Sequence, residues 1–184
     1  MKRVMLAILL IFLGCSKQTT PNQQYECQRD GVKAPIWVCQ PTELKDAITA
    51  IGIAKPNLAD DEQMQLDEAM AAARDSLARR IEVKVKNMFK QFKAITGYGK
   101  NQTYEKATEN VSKQVAYKTL RNSRLLKSWK SPSGTLYVLV GMPKEDVVNN
   151  IKTSLKNNEA LYQKFLAKKA QEELEKEIEK EFKQ

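Results

Sequence analysis

Histidine is absent from the 184 residues. Its absence removes the commonest general base and a leading zinc ligand. The side chains left for chemistry are three cysteines, Cys15, Cys27 and Cys39, and two carboxylate clusters, Asp60-Asp61-Glu62 and Glu172-Glu173. Carboxylate catalysis requires two groups in contrasting environments. The first cluster instead suits the acidic start of a helix, and the second suits a solvated helix face. Gly97-Tyr98-Gly99 is a lone glycine pair, without the preceding strand and following helix that a phosphate cradle needs. The chain is therefore read as non-enzymatic, with no catalytic, metal or cofactor-binding residues.

Chemistry at a thiol is better supported. Lys2 and Arg3 precede an apolar run from Val4 to Leu13, which ends in Gly14-Cys15. The run is short of the ~20 apolar residues that span a bilayer and has the layout of a secretory leader. A small residue followed by cysteine at that point resembles the lipobox of bacterial lipoproteins. The resemblance implies cleavage just before Cys15, with acyl chains on its thiol and outer-membrane lipid as its partner. An ordinary signal peptide with an incidental cysteine is the alternative. Ser16 follows, and by resemblance to lipoprotein sorting the lack of Asp there favours the outer membrane; which face of it is left open. With Cys15 acylated, Cys27 and Cys39 form an even remainder in an oxidising compartment. A bridge between them closes a loop of about 13 residues, worth ~3 kcal/mol in the chain-entropy model. Two independent thiols are the other reading.

The whole chain carries 31 basic and 22 acidic side chains, a net charge of +9. Without Lys2 and Arg3 the surplus is +7. For an exported chain this argues against nucleic acid and for anionic lipid headgroups or wall polymers, unless it is only a solvated lysine-rich surface.

The elements around these residues follow from periodicity. Residues 16–34 are polar with scattered Pro and Gly, so 15–34 reads as a lipid-anchored tether after the signal peptide 1–14. Ala47–Ala54 is a short β-branched run that predicts a buried strand, with Gly52 marking a bulge or a close backbone approach. From Leu66 to Ile95, apolar residues recur every three or four positions, which predicts a helix over about 60–95. At ~54 Å it exceeds what a small sheet covers, so it either projects or bends near Val83–Val85. A second helix is expected over 103–119, then strands at 123–130 and 135–140 around the turn Ser131-Pro132-Ser133-Gly134. A last helix starts at Lys144 and runs to a charged C-terminal end that projects into solvent. The expected fold is α+β: a three-stranded antiparallel sheet with helices packed on one face. The domain is placed at 35–150, with a charged C-terminal helix over 151–184.

Two aromatic residues are candidate partner contacts. Trp129 ends a hairpin strand, where packing of a sheet edge competes with a role at an interface. Phe92 lies on the far half of the long helix with Met88, Phe89 and Ile95. That half must bury against another helix or a second subunit.

The order of motifs carries a family resemblance over about residues 35–148. Pro35-x-Trp37-Val38 is followed by the strand with Gly52-x-Ala54, then Ala71-Ala72-Ala73-Arg74-Asp75-x-Leu77-Ala78, then Leu136-Tyr137-Val138-Leu139-Val140-Gly141. This series resembles the LPP-twenty lipoprotein family, small outer-membrane lipoproteins of Helicobacter- and Campylobacter-like bacteria related to flagellar basal-disk lipoproteins. The resemblance implies a non-enzymatic envelope protein of structural or assembly role, associated with itself or with flagellar and envelope proteins. The alternatives are a periplasmic regulator of a wall-synthesis enzyme and a surface-exposed adhesin-like lipoprotein. The Cys27/Cys39 pair and the charged C-terminal extension depart from the family pattern.

Overall fold

The computed structural model describes residues 26–40, 44–97, 102–165 and 168–182. A short hairpin comes first, β1 (Gln28–Arg29) and β2 (Val32–Lys33), then a single helical turn α1 (Ile36–Cys39). Strand β3 (Ala47–Ala54) leads into the long helix α2 (Glu62–Thr96) and the antiparallel helix α3 (Gln102–Asn122). The hairpin β4 (Arg124–Lys130) and β5 (Leu136–Pro143) completes the main sheet, followed by α4 (Lys144–Lys156), α5 (Glu159–Phe165) and α6 (Lys168–Phe182).

The main sheet is antiparallel with order β3-β5-β4, so the last strand in sequence is the central one. β5 is buried on both faces because its alternating side chains enter two different clusters. Val138, Val140 and Met142 face α2 together with Ile48, Ala50 and Ala54 of β3. Tyr137 and Leu139 face the other way, onto the small cap made by β1, β2 and α1. The fold is α+β, with the long helices on one face of a three-stranded sheet.

Gly52 explains how α2 sits so close. A Cβ on Gly52 would stand 1.9 Å from the carbonyl oxygen of Ala69 and 2.8 Å from Cβ of Ala73. Helix backbone therefore rests almost directly on strand backbone, which only Gly on one side and Ala on the other permit. β3 pairs with β5 without interruption from Ala47↔Pro143 to Ala54↔Leu136. Of the two readings of Gly52, close approach is the one realised. The bulge in this sheet lies in β4 instead, between Leu125 and Lys127.

α2 begins where the sequence places it. Asp61 caps its start, accepting from the backbone N–H of Met64 at 3.0 Å. Gly97 ends it in the left-handed region, with φ 68°. The helix is continuous over 35 residues, or about 52 Å. Its second half does not project. α3 covers it from one side, with Tyr104, Ala107, Val111 and Val115 buried against Phe92, Phe89, Met88 and Val85 in the main core. Ile95, the last position of the expected stripe, is 57% exposed.

The C-terminal segment corrects two expectations. The helix from Lys144 is not continuous, because the chain turns at Asn157-Asn158, where Asn158 Oδ1 accepts from Leu161 N–H at 3.2 Å. α6 does not project into solvent either. Ala170, Leu174, Ile178 and Phe182, four residues apart, are all buried in the main core. That line of four covers more of α2 than its thin appearance suggested, while lysines and glutamates occupy the outer side. Lys84 meets Glu181 at 3.3 Å and Lys180 meets Gln91 at 2.9 Å across the α2–α6 contact. The expected boundary at 150/151 consequently falls inside α4, and the C-terminal helix belongs to the same core as the sheet. Order also begins earlier than Pro35, since β1 and β2 lie inside the segment read as tether.

Candidate functional site

Two places bring together the residues that the sequence singled out. The first is the cap. Cys27 and Cys39 are joined by a disulfide, with Cα atoms 5.7 Å apart. Asp30-Gly31 turns the hairpin with positive φ at both positions, 52° and 75°, the geometry of a tight turn that matches strand twist. Ala34 N–H donates to the Cys27 carbonyl at 2.8 Å and closes the hairpin at its base. The turn is then fastened to the β4–β5 turn: the Asp30 carboxylate accepts from the Ser133 hydroxyl at 2.6 Å and from the Ser133 N–H at 3.2 Å. Hydrogen bonds from the Ser131 and Ser133 side chains hold the Asp30 carboxyl below its usual range, with the Ser133 backbone N–H adding to them. Trp37 and Val38 of α1 lie under this cap against Tyr137 and Leu139. Trp37 is a packing residue, 6% exposed. Asp30, Ser131 and Ser133 were not anticipated as a unit, although Asp-Gly is a hairpin signal.

The second place is the β4 edge. Trp129 is half-buried, its ring 5.5 Å from Tyr137 and tilted to it. It shields the side of the cap cluster and keeps part of its ring accessible. Every other residue of β4 is exposed. The bulge changes where these side chains point. Arg124, Lys127 and Trp129 pair with Gly141, Leu139 and Tyr137, so they share the outer face, away from α2. Leu126, the extra residue, joins them: its Cδ1 lies 2.5 Å from where a Cβ of Gly141 would be. Next to Arg124 an open polar cleft of about 400 Å³ separates the end of α3 from α4; Arg121, Arg124, Asp146 and Asn150 are among its lining residues.

Phe92 is not available to a partner in this structure. It is 1% exposed, because α3 lies along that part of α2. Lys93–Glu105 at 2.8 Å and a bond from the Tyr104 hydroxyl to the Phe89 carbonyl at 3.4 Å hold the two helices together there. Burial pushes the Tyr104 phenol well above its ordinary value. Phe92 as a partner contact is thus corrected to a core residue.

The carboxylate clusters have structural roles. Asp61 caps α2, and Glu62 pairs with Lys130 at 3.0 Å. Glu173 pairs with Lys176 at 2.8 Å. Among the described residues no group of three or more His, Cys, Asp or Glu side chains is placed to hold a metal ion, and no helix is long and apolar enough to cross a membrane. Cys15 lies outside the described residues.

No curated protein matches the chain. A family model does, that of the LPP20 lipoprotein, over residues 35–142. The match runs from α1 into β5, and so includes α2, α3 and all of the main sheet but its last residue, Pro143. With that sheet, that helix pair and more than half of its length inside the match, the chain belongs to the LPP20 lipoprotein family.

Proposed function

We propose that this chain is an outer-membrane lipoprotein, anchored through acyl chains on Cys15, with a non-enzymatic structural or assembly role in the envelope, including the flagellar apparatus. The observation that carries the reading is the family match, which sits behind a leader ending at Gly14-Cys15. The arrangement of the body supports it. Asp61 caps α2, Glu62 and Glu173 pair at the surface, and the hairpin at 28–33 is fastened to the β4–β5 turn through Asp30 and Ser133. The placement of Cys27 within the body also bears on the regulator alternative. From Cys15 to Glu26 the chain reaches at most about 40 Å fully extended, against ~70 Å for a tether running to Pro35. A short reach favours work close to the membrane over contact with an enzyme across the periplasm.

The test is the Cys15→Ala variant expressed in the native bacterium. Wild-type chain should incorporate labelled palmitate and fractionate with the outer membrane, and the variant should lose both. Wild-type protein that fractionates as soluble, with no lipid mass at Cys15, refutes the anchor. A deletion strain scored for motility and envelope integrity then separates the flagellar version from a general envelope role.

A further inference from the structure

We infer that the outer face of β4, together with the cleft at its start, is a docking surface for the phosphate-bearing headgroups of an anionic bilayer. The inference rests on the lipid-anchored reading above, which places the body next to a membrane.

The β4 bulge is the basis. A regular edge strand alternates its side chains between two faces. Here the extra residue at Leu126 re-aims the strand, so Arg124, Leu126, Lys127 and Trp129 all stand on the outer face, along roughly 17 Å of strand. Cations are thus interleaved with an aliphatic and an aromatic side chain. Leu126 is 41% exposed. Trp129 packs on Tyr137 and is only partly buried. An amphipathic ring and a leucine flanked by basic side chains match the polar-to-apolar gradient of a bilayer interface, with each cation near the surface adding attraction.

Charge complementarity picks the occupant. Among the described residues, Arg121, Arg124 and Lys127 have no ion-pair partner, whereas Lys130 at the far end of the strand pairs with Glu62. Arg121 and Arg124 flank the polar cleft, where Asp146 is the one carboxylate in the lining. Two guanidinium groups on one cleft suit a tetrahedral oxyanion, since Arg presents paired donors to phosphate. With the exposed Leu126 two residues from Arg124 and the half-buried Trp129 farther along the same face, that oxyanion is best supplied by a lipid headgroup.

Trp129 reports directly on the contact. The processed chain, purified from membranes of the native bacterium, is reconstituted into phosphatidylcholine vesicles with about 30% phosphatidylglycerol, with bromine on the upper acyl chains to quench indole at the interface. Subtracting the emission of Trp129→Phe from that of the wild type isolates Trp129 from the buried Trp37. Emission from Trp129 should fall roughly twofold or more on anionic vesicles and recover in all-phosphatidylcholine vesicles or at about 0.5 M salt, where surface attraction is screened. It should also recover in Arg124→Gln/Lys127→Gln, whose changes are at exposed positions and should leave the melting temperature unchanged. Chain that floats with the vesicles while Trp129 stays unquenched on anionic lipid overturns the inference and leaves the anchor standing. Equal quenching on zwitterionic and anionic vesicles overturns it as well. Quenching on anionic vesicles alone, with no flotation on zwitterionic ones, supports the surface and refutes the lipid anchor.

Discussion

Replacing Gly52 with Ala tests whether direct backbone contact holds α2 on the sheet. The added methyl would lie 1.9 Å from the Ala69 carbonyl oxygen and 2.6 Å from the Ala73 backbone nitrogen. Neither neighbour is a side chain that can swing away; both belong to a helix locked by its own hydrogen bonds. Relief requires the helix to withdraw by about 1–1.5 Å, which would loosen its other contacts with β3 and β5, because packed interiors tolerate little added volume. Overpacking of this kind costs about 1–3 kcal/mol, and a rigid backbone neighbour places the cost near the top of that range. For a body of this size each kcal/mol moves the melting temperature by roughly 2–4 °C, so Gly52→Ala should melt about 6–12 °C lower. Gly141→Ala is the matched control. Its methyl would meet Leu126 Cδ1 at 2.5 Å, with the next neighbours at 3.3 and 3.4 Å. The closest atom there is the end of a flexible, exposed side chain, and the cost should stay under about 1 kcal/mol. Differential scanning calorimetry of both variants, with the disulfide intact, decides the matter. A Gly52→Ala melt within about 2 °C of wild type, or one above that of Gly141→Ala, would refute this account of the helix–sheet contact.

Phe92→Ala should destabilise by about 3–5 kcal/mol, as expected for a large ring fully buried within one chain, and should leave the molar mass by light scattering unchanged; dissociation of a larger assembly would restore Phe92 to an interface. Asp30→Asn should lower the melting temperature at pH 7. The Asp30 carboxyl is held below its ordinary value of 3.8 when folded, so its contribution is present above that value and disappears as pH falls through the lower folded one. The gap between wild type and variant should therefore close in acid, and a gap constant from pH 7 to about pH 2 would contradict the Asp30–Ser133 fastening. Non-reducing peptide mapping should recover Cys27 and Cys39 in one linked peptide, with two freely alkylated thiols as the opposing result.

The strands, the long helix and the turn between β4 and β5 were legible because each carries a local signal: β-branched runs, a three-and-four spacing, and Ser-Pro-Ser-Gly. The capping of α2 by Asp61 and Gly97 was equally local. What escaped depended on distant partners. Phe92 looked open to a second subunit because no spacing reveals that α3 lies across it. α6 looked like a solvated helix because Ala170, Leu174, Ile178 and Phe182 form a thin line, sufficient only once α2 is known to lie beneath. The hairpin at 28–33 hid in a polar segment: its strands have two residues each, too short for alternation to register, and its stability comes from the Cys27–Cys39 link and Asp30's contact with Ser133. The face presented by β4 was hidden because one bulged residue reverses the pointing of every side chain beyond it, and bulges leave no reliable trace in a heptapeptide such as Arg124–Lys130.

The disulfide has a mechanical meaning. Tension delivered from the N-terminal side arrives at Cys27 and finds two parallel routes, the backbone through the hairpin and the sulfur bridge to Cys39. The bridge is the shorter route, so the hairpin and the contact between Asp30 and Ser133 carry almost none of the load. Force passes instead straight to α1 and onward to β3. With the bridge reduced, the same pull would first peel the two-residue strands and release up to about 40 Å of slack. Under such a pull the cap would act as a strain relief, keeping Cys27 at a fixed distance from the sheet.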